Sequence, residues 1–241
     1  MKLILVGAAR ENSFRLPHKM IRPFADTSLF EIYVRKLDYI AKNSKLFNRV
    51  IVAVNKNDKT LWDMASKMEN IELKARDNQS ISQKFNGISE TQSYLKDYEE
   101  EWVLNVNGCF PFLKINTIEE IASFYMKNNH IHSITCVKER YNHFWEIDSH
   151  KPINNKNATV LSTSLLPPVL ENVNHVLIYN KNYMFEHECY WDYTDNNPYL
   201  YIVTNNEETL DIDTKMEFDI CEGLYKEKYG NKENFFKEFG I

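Results

Sequence analysis

Short apolar runs recur along this chain with amphipathic stretches between them, and that alternation limits the fold more than any other feature. Residues 2–8 (KLILVGA) and 49–54 (RVIVAV) are apolar almost throughout and read as strands buried on both faces. Residues 71–74, 102–106 (WVLNV), 132–137 (HSITCV), 175–180 (HVLIYN) and 199–203 (YLYIV) read as further strands. Residues 28–44 place Leu29, Ile32, Tyr33, Leu37 and Ile40 at helical spacing, with Ser28 as the N-cap. Residues 58–68 and 80–96 also read as helices, Thr117 precedes another that runs to about Lys127, and 214–228 form the last, capped by Thr214. Strands alternating with helices of this length imply βαβ units. The expected fold is therefore α/β and Rossmann-like, a mostly parallel sheet flanked by helices. Ligands in such sheets bind beyond the carboxyl ends of the strands, which points to the loops after residues 8, 54, 75, 106 and 137.

The rhythm breaks over 138–175, a polar stretch with Pro152, Pro167 and Pro168, which reads as an excursion from the sheet. With no linker or repeat, residues 1–241 form one domain carrying that excursion. The polar tail 230–241, with three phenylalanines, is expected to pack loosely on the surface. A net charge of −5 argues against a sequence-independent nucleic-acid surface. The opening MKLILVGAAR is too short in apolar residues for a secretory signal, and no run has the roughly 18 apolar residues of a membrane span. A cytoplasmic protein is expected. Cys109, Cys136, Cys189 and Cys221 are widely spaced and read as free thiols. With only six glycines, the chain has no G-x-G-x-x-G or G-x-x-x-x-G-K-[ST] loop.

Three segments carry chemistry. Directly after the first strand, Ala9-Arg10-Glu11-Asn12-Ser13-Phe14-Arg15-Leu16-Pro17-His18-Lys19 gathers cations and a hydroxyl in one loop. A triphosphate needs cations, backbone N–H groups and a hydroxyl at close range. Arg10 and Arg15 can each grip phosphate oxygens with a planar fork, and Lys19 supplies a point charge. The second segment, residues 104–113, is a strand end followed by a Gly turn and a proline, with Asn107 and Cys109 in the turn. In the third, Asp211 and Asp213 flank Ile212, so in an extended chain both carboxylates project to one side. Adjacent carboxylates repel unless a cation lies between them, and Mg²⁺ suits oxygen ligands and bridging phosphates.

The pattern A-R-x-x-S-x-R-L-P-x-K resembles the opening of the cytidylyltransferases that make CMP-activated acidic sugars, the CMP-Kdo and CMP-sialic acid synthetases among them. The resemblance implies a nucleotide-diphospho-sugar transferase type of fold. It also implies that this loop wraps the phosphates of CTP, with Ala8, Ala9, Arg10, Ser13, Arg15 and Lys19 at the nucleotide. The sialic branch usually has glycines before the serine, where this chain has Glu11-Asn12. The second segment looks like the family turn written Q-G-D-x-P or Q-P-T-S-P. Asn107 falls on the glutamine, Pro111 on the proline, and Cys109 on the aspartate that binds metal in the Kdo branch. The third matches the D-I-D-T element of the sialic branch, which makes Asp211 and Asp213 the Mg²⁺ ligands. Arg76 takes the place of a basic residue near the nucleotide, and Lys138 and Arg140 stand where contacts to a sugar carboxylate are expected. The absence of a family arginine near Leu161–Pro167 favours some divergence in acceptor. The resemblance implies CMP transfer from CTP to an acidic sugar for surface polysaccharide synthesis, with Arg10, Lys19, Asp211 and Asp213 catalytic. It also implies a homodimer built through 138–175. Two alternatives remain open: a different sugar or phosphorylated acceptor, and a nucleotide-binding homologue without turnover.

Overall fold

The computed structural model describes residues 2–78, 80, 87–128, 130–155 and 162–241. In chain order its elements are β1 (Leu3–Ala8), β2 (Pro23–Phe24), β3 (Thr27–Ser28), α1 (Leu29–Asn43), β4 (Arg49–Asn55), α2 (Lys59–Ala65), β5 (Glu72–Arg76) and α3 (Ile88–Thr91). There follow β6 (Trp102–Val106), α4 (Ile115–Lys127), β7 (Ile134–Arg140), β8 (Val169–Asn180), α5 (Lys181–His187), β9 (Tyr199–Ile202), α6 (Lys215–Tyr229) and α7 (Lys232–Glu238).

Seven strands form one sheet in the order β5-β4-β1-β6-β8-β7-β9. Strands β5, β4, β1 and β6 are mutually parallel. β8 runs antiparallel to both β6 and β7, and β9 is parallel to β7. The sheet is thus mostly parallel with one reversed strand. The excursion expected over 138–175 is narrower, because 138–140 belong to β7 and 169–175 to β8, which pair antiparallel.

Both faces of the sheet are covered, which is why its central strands are apolar without alternation. On β1, Leu3 and Leu5 enter the larger core, with α1, α4, α6 and α7. Ile4 and Val6 enter a smaller one with Leu95, Leu177, Tyr179 and Met184. Helix α1 begins where Ser28 Oγ accepts the Glu31 N–H at 3.1 Å, as its N-cap pattern requires. On its buried face, the Tyr33 hydroxyl donates to Val106 O at 2.7 Å, beneath the end of β6. Gly7 makes this possible, since a Cβ there would overlap the Tyr33 hydroxyl and the Leu37 side chain.

Several expectations are corrected. Of the helix expected at 80–96, the described residues form α3 and a 3-10 turn, Ser93–Asp97; residues 81–86 lie outside the described residues, as does Leu161. The helix expected to follow Thr117 begins before it, at Ile115, with Thr117 in its first turn. The tail does not pack loosely. It forms α7, whose Phe235 is buried against Phe112, Tyr225 and Tyr229 and whose Phe236 is buried under the Arg35 guanidinium. Lys36 joins this cluster from α1. It is only 4% exposed, donates to Pro111 O at 2.5 Å and Leu113 O at 2.7 Å, and lies over the Phe239 ring. Burial holds its ammonium pKa well below the usual lysine range.

Candidate active site

The loop after β1 and the segment before α6 meet at the carboxyl edge of the sheet. Lys19, buried at 5% exposure, donates to Ile212 O at 2.5 Å and to Asp213 Oδ1 at 3.1 Å. Arg15 Nη1 lies 2.7 Å from Asp213 Oδ2. The cationic loop and the acidic pair, nearly two hundred residues apart in sequence, therefore belong to one site.

Each half is held by its own local structure. Asp58, 8% exposed at the N-cap of α2, accepts the Glu11 N–H at 3.0 Å. The Glu11 carboxylate turns to His18, with Nδ1 at 3.3 Å, so it is engaged within its own loop. Leu16 and Met20 anchor that loop in the core. On the acidic side, a capping box fixes the chain: Thr214 caps α6 and the Glu217 carboxylate accepts the Thr214 N–H at 2.7 Å and the Asp213 N–H at 2.9 Å. Ile212, fully buried, donates its N–H to Cys109 O at 3.1 Å, tying this segment to the turn after β6. That turn is closed by Asn107, whose Oδ1 accepts the Cys109 N–H at 3.0 Å. Gly108 gives it room, because a Cβ there would press on Tyr33 and Met20.

The electrostatics distinguish the two aspartates. Asp213 has both oxygens on cations. Asp211 Oδ1 is buried with no hydrogen-bond partner. Burial first, and the neighbouring Asp213 charge second, push the Asp211 pKa up to about 6. An orphaned, proton-seeking carboxylate oxygen beside a second carboxylate fits a hard divalent cation. Among the described residues no group of three or more His, Cys, Asp or Glu side chains can hold a metal ion. Two carboxylates with the rest of the shell supplied by phosphate and water is the pattern Mg²⁺ tolerates well. Cys109 adds no charge: burial raises its thiol pKa above the usual value, against the pull of Lys19. Burial works against the Lys19 ammonium too, yet its pKa is raised, with the Asp213 carboxylate as its charged partner.

The remaining sequence-derived residues fall around this centre to different degrees. Ala8 ends β1, and buried Ala9 donates its N–H to Ala53 O at 3.1 Å. Arg10 and Ser13 are partly exposed in the loop. Arg76 ends β5, donating to Ser80 O at 2.6 Å and Thr91 O at 3.2 Å, with its guanidinium over the Tyr94 ring. Burial lowers its pKa, and the Arg10 charge nearby lowers it further. Lys138 and Arg140, on β7, both pair with Glu171 of β8, so their charges are already shared with a carboxylate. Sequence reasoning missed Asp58 and His175. Asp58 is visible only once Glu11 is placed in space. His175 lies on β8 beside that turn, its O accepting the Asn107 N–H at 2.9 Å and its ring edge-on to Phe110. It is fully buried with both ring nitrogens unpartnered, and burial pulls its pKa down to about 3.

A mostly parallel sheet flanked by helices, with a cationic loop meeting an acidic segment beyond its strand ends, has the architecture of an α/β nucleotide-binding fold. The sequence profile of the cytidylyltransferase family matches residues 4–231. The chain belongs to the cytidylyltransferase family and is a CTP-dependent nucleotidyltransferase. Solved structures agree in fold. The synthetase of CMP:2-keto-3-deoxy-manno-octonic acid, solved with CTP, is 11% identical, with a TM-score of 0.62 over 95% of this chain and 100% of its own. The 4-diphosphocytidyl-2C-methyl-D-erythritol synthase of Anaerococcus prevotii is 13% identical, with a TM-score of 0.64 over 93% of this chain and 96% of its own. A cytidylyltransferase from Leptospira borgpetersenii is 18% identical, with a TM-score of 0.56 over 94% of this chain and 87% of its own. No curated protein matches the sequence. No helix among the described residues is long and apolar enough to cross a membrane.

Proposed function

We propose that this cytidylyltransferase transfers CMP from CTP to an acidic sugar of the sialic acid or Kdo type, releasing pyrophosphate, in surface polysaccharide synthesis. The observation that supports the reading is the convergence of Arg15 and Lys19 on Asp213, two cations of the loop after β1 on one carboxylate of the segment before α6. In the reaction a sugar hydroxyl attacks the α-phosphorus of CTP, a new P–O bond forms, and the bond to the β-phosphate oxygen breaks. Ala8, Ala9, Ser13, Arg76 and Asn107 line the nucleotide. Arg10, Arg15 and Lys19 oppose the charge that develops on the departing pyrophosphate. Asp211 and Asp213 are the residues that hold Mg²⁺, which when bound neutralises phosphate charge and lowers the pKa of the attacking hydroxyl. Most of the rate then comes from positioning and electrostatics. Lys138 and Arg140, at the carboxyl end of β7, receive the sugar carboxylate.

A homodimer through the excursion belongs to the same reading. Tyr141, Trp145, Ile147, Ile153 and Leu165 are exposed there, an apolar set suited to burial against a second copy. A monomer mass by light scattering at micromolar protein contradicts that part.

The test is pyrophosphate release from CTP and Mg²⁺ with a panel of nonulosonic and octulosonic acids. Release with one of them supports the proposal. One observation favours a second reading: Glu171 already engages both Lys138 and Arg140. Release only with neutral or phosphorylated acceptors establishes that alternative.

A further inference from the structure

The two halves of the candidate site are joined by an ion pair whose members have opposing duties. Arg15 Nη1 lies 2.7 Å from Asp213 Oδ2, while Lys19 Nζ takes the other oxygen at 3.1 Å. A bound triphosphate needs the cations; a bound divalent cation needs the carboxylate. The surroundings of the two cations differ. The Lys19 side chain is 7% exposed and is also anchored on Ile212 O, so swinging outward would break that bond too and leave the carbonyl without its donor. The Arg15 side chain is 64% exposed and can swing outward at little cost.

We propose that Asp213 is a built-in anion that occupies Arg15 until a polyphosphate displaces it, so that a divalent cation on the aspartates and a polyphosphate on Arg15 each bind more tightly in the other's presence. This inference rests on the nucleotidyl-transfer reading of the site. Without a divalent cation, a polyphosphate has to compete with the Asp213 carboxylate for Arg15 and also approach two like charges. With the carboxylates engaged by the cation, both obstacles fall. Linkage makes the coupling reciprocal, so the polyphosphate strengthens cation binding by the same factor. Asp211 does not compete in this way. Its buried Oδ1 is unpartnered and serves as the landing point for the cation. Lys19 stays in place, orienting Asp213 with two of its donors on Ile212 O and Asp213 Oδ1 and leaving the third for the polyphosphate. The site is thereby biased against metal-free nucleotide, which cannot react.

Calorimetric titration of the full chain with inorganic triphosphate in EDTA tests this, using wild type, Asp213→Asn, Arg15→Ala and the double variant. Asp213→Asn is expected to bind metal-free triphosphate about fivefold more tightly than wild type, the scale of a part-exposed ion pair. In the Arg15→Ala background that gain is expected to shrink below about twofold. An equal gain with and without Arg15 means that Asp213 acts only through its field, and overturns the proposal, as does no gain at all. A wild-type readout guards against a variant that does not fold: Mg²⁺ alone is expected to shift the Arg15 guanidinium resonance in ¹⁵N NMR. No shift under saturating Mg²⁺ also overturns the proposal. If wild type releases pyrophosphate with an acceptor but Asp213→Asn gains nothing, only this inference falls. If wild type binds no triphosphate under any condition, the functional reading falls with it.

Discussion

Replacing Asp211 by asparagine is expected to stabilise the metal-free protein while abolishing metal binding. The folded chain holds this carboxyl at a pKa of about 6, through burial and through Asp213. The unfolded chain returns it to an ordinary aspartate value near 4. A rise of about two units corresponds to at most ~3 kcal/mol of destabilisation of the charged form. Because Asp211 keeps some contact with water, about 1–2 kcal/mol is the expected size. The sign follows from proton counting. Between about pH 4 and 6 the folded state binds more protons than the unfolded state, so wild-type stability falls as pH rises through that window. The cost is complete above about pH 6 and absent below about pH 4, where both states are protonated. Asparagine never carries it. In EDTA at pH 8, Asp211→Asn is therefore expected to melt about 2–6 °C above wild type, with the gap closing by pH 4. Adding Mg²⁺ raises the wild-type melting temperature and leaves the variant unmoved. A variant that melts at or below wild type at pH 8, or a gap that does not depend on pH, refutes the reasoning.

Other substitutions probe the frame around the site. Gly7→Ala drives a methyl group into the Tyr33 hydroxyl and Leu37, and is expected to cost about 2–3 kcal/mol in urea unfolding. Phe235→Ala removes a fully buried ring from the α7 cluster and is expected to cost about 3–5 kcal/mol, whereas a loosely packed tail predicts almost no change. Lys19→Met leaves Ile212 O and one Asp213 oxygen without their donor. Turnover is expected to fall by about a hundredfold or more, measured as pyrophosphate release, with folding checked by circular dichroism.

Much of this architecture was legible in the sequence because the central strands are short and apolar and the helix starts carry their caps. Ser28 and Thr214 both cap helices as their side chains indicate. The site was legible because its residues cluster locally: Arg10, Arg15 and Lys19 share one loop, and Asp211 and Asp213 share one extended segment. Local pattern could not reveal what depends on contacts distant in sequence. Lys36 looks like a surface lysine on an amphipathic helix, yet the Pro111 and Leu113 carbonyls draw it inside. The phenylalanines of the tail have no strong period of their own, and α7 forms because Phe112, Tyr225 and Tyr229 offer an apolar seat. The reversed direction of β8 is a matter of strand pairing, on which a strand's composition is silent. The sharing of Glu171 by Lys138 and Arg140 depends on strand register, which neither segment encodes alone.

The central claim is that the loop after β1 and the Asp211–Asp213 segment hold one and the same polyphosphate with its metal. Diffraction from crystals soaked with CTP and Mn²⁺, with the metal located by its anomalous signal, tests it most directly. The account predicts a metal peak coordinated by Asp211 and Asp213, bridged to phosphate oxygens that Arg10 and Arg15 contact. A metal peak away from both aspartates, or a triphosphate bound without contact to residues 10–19, contradicts it.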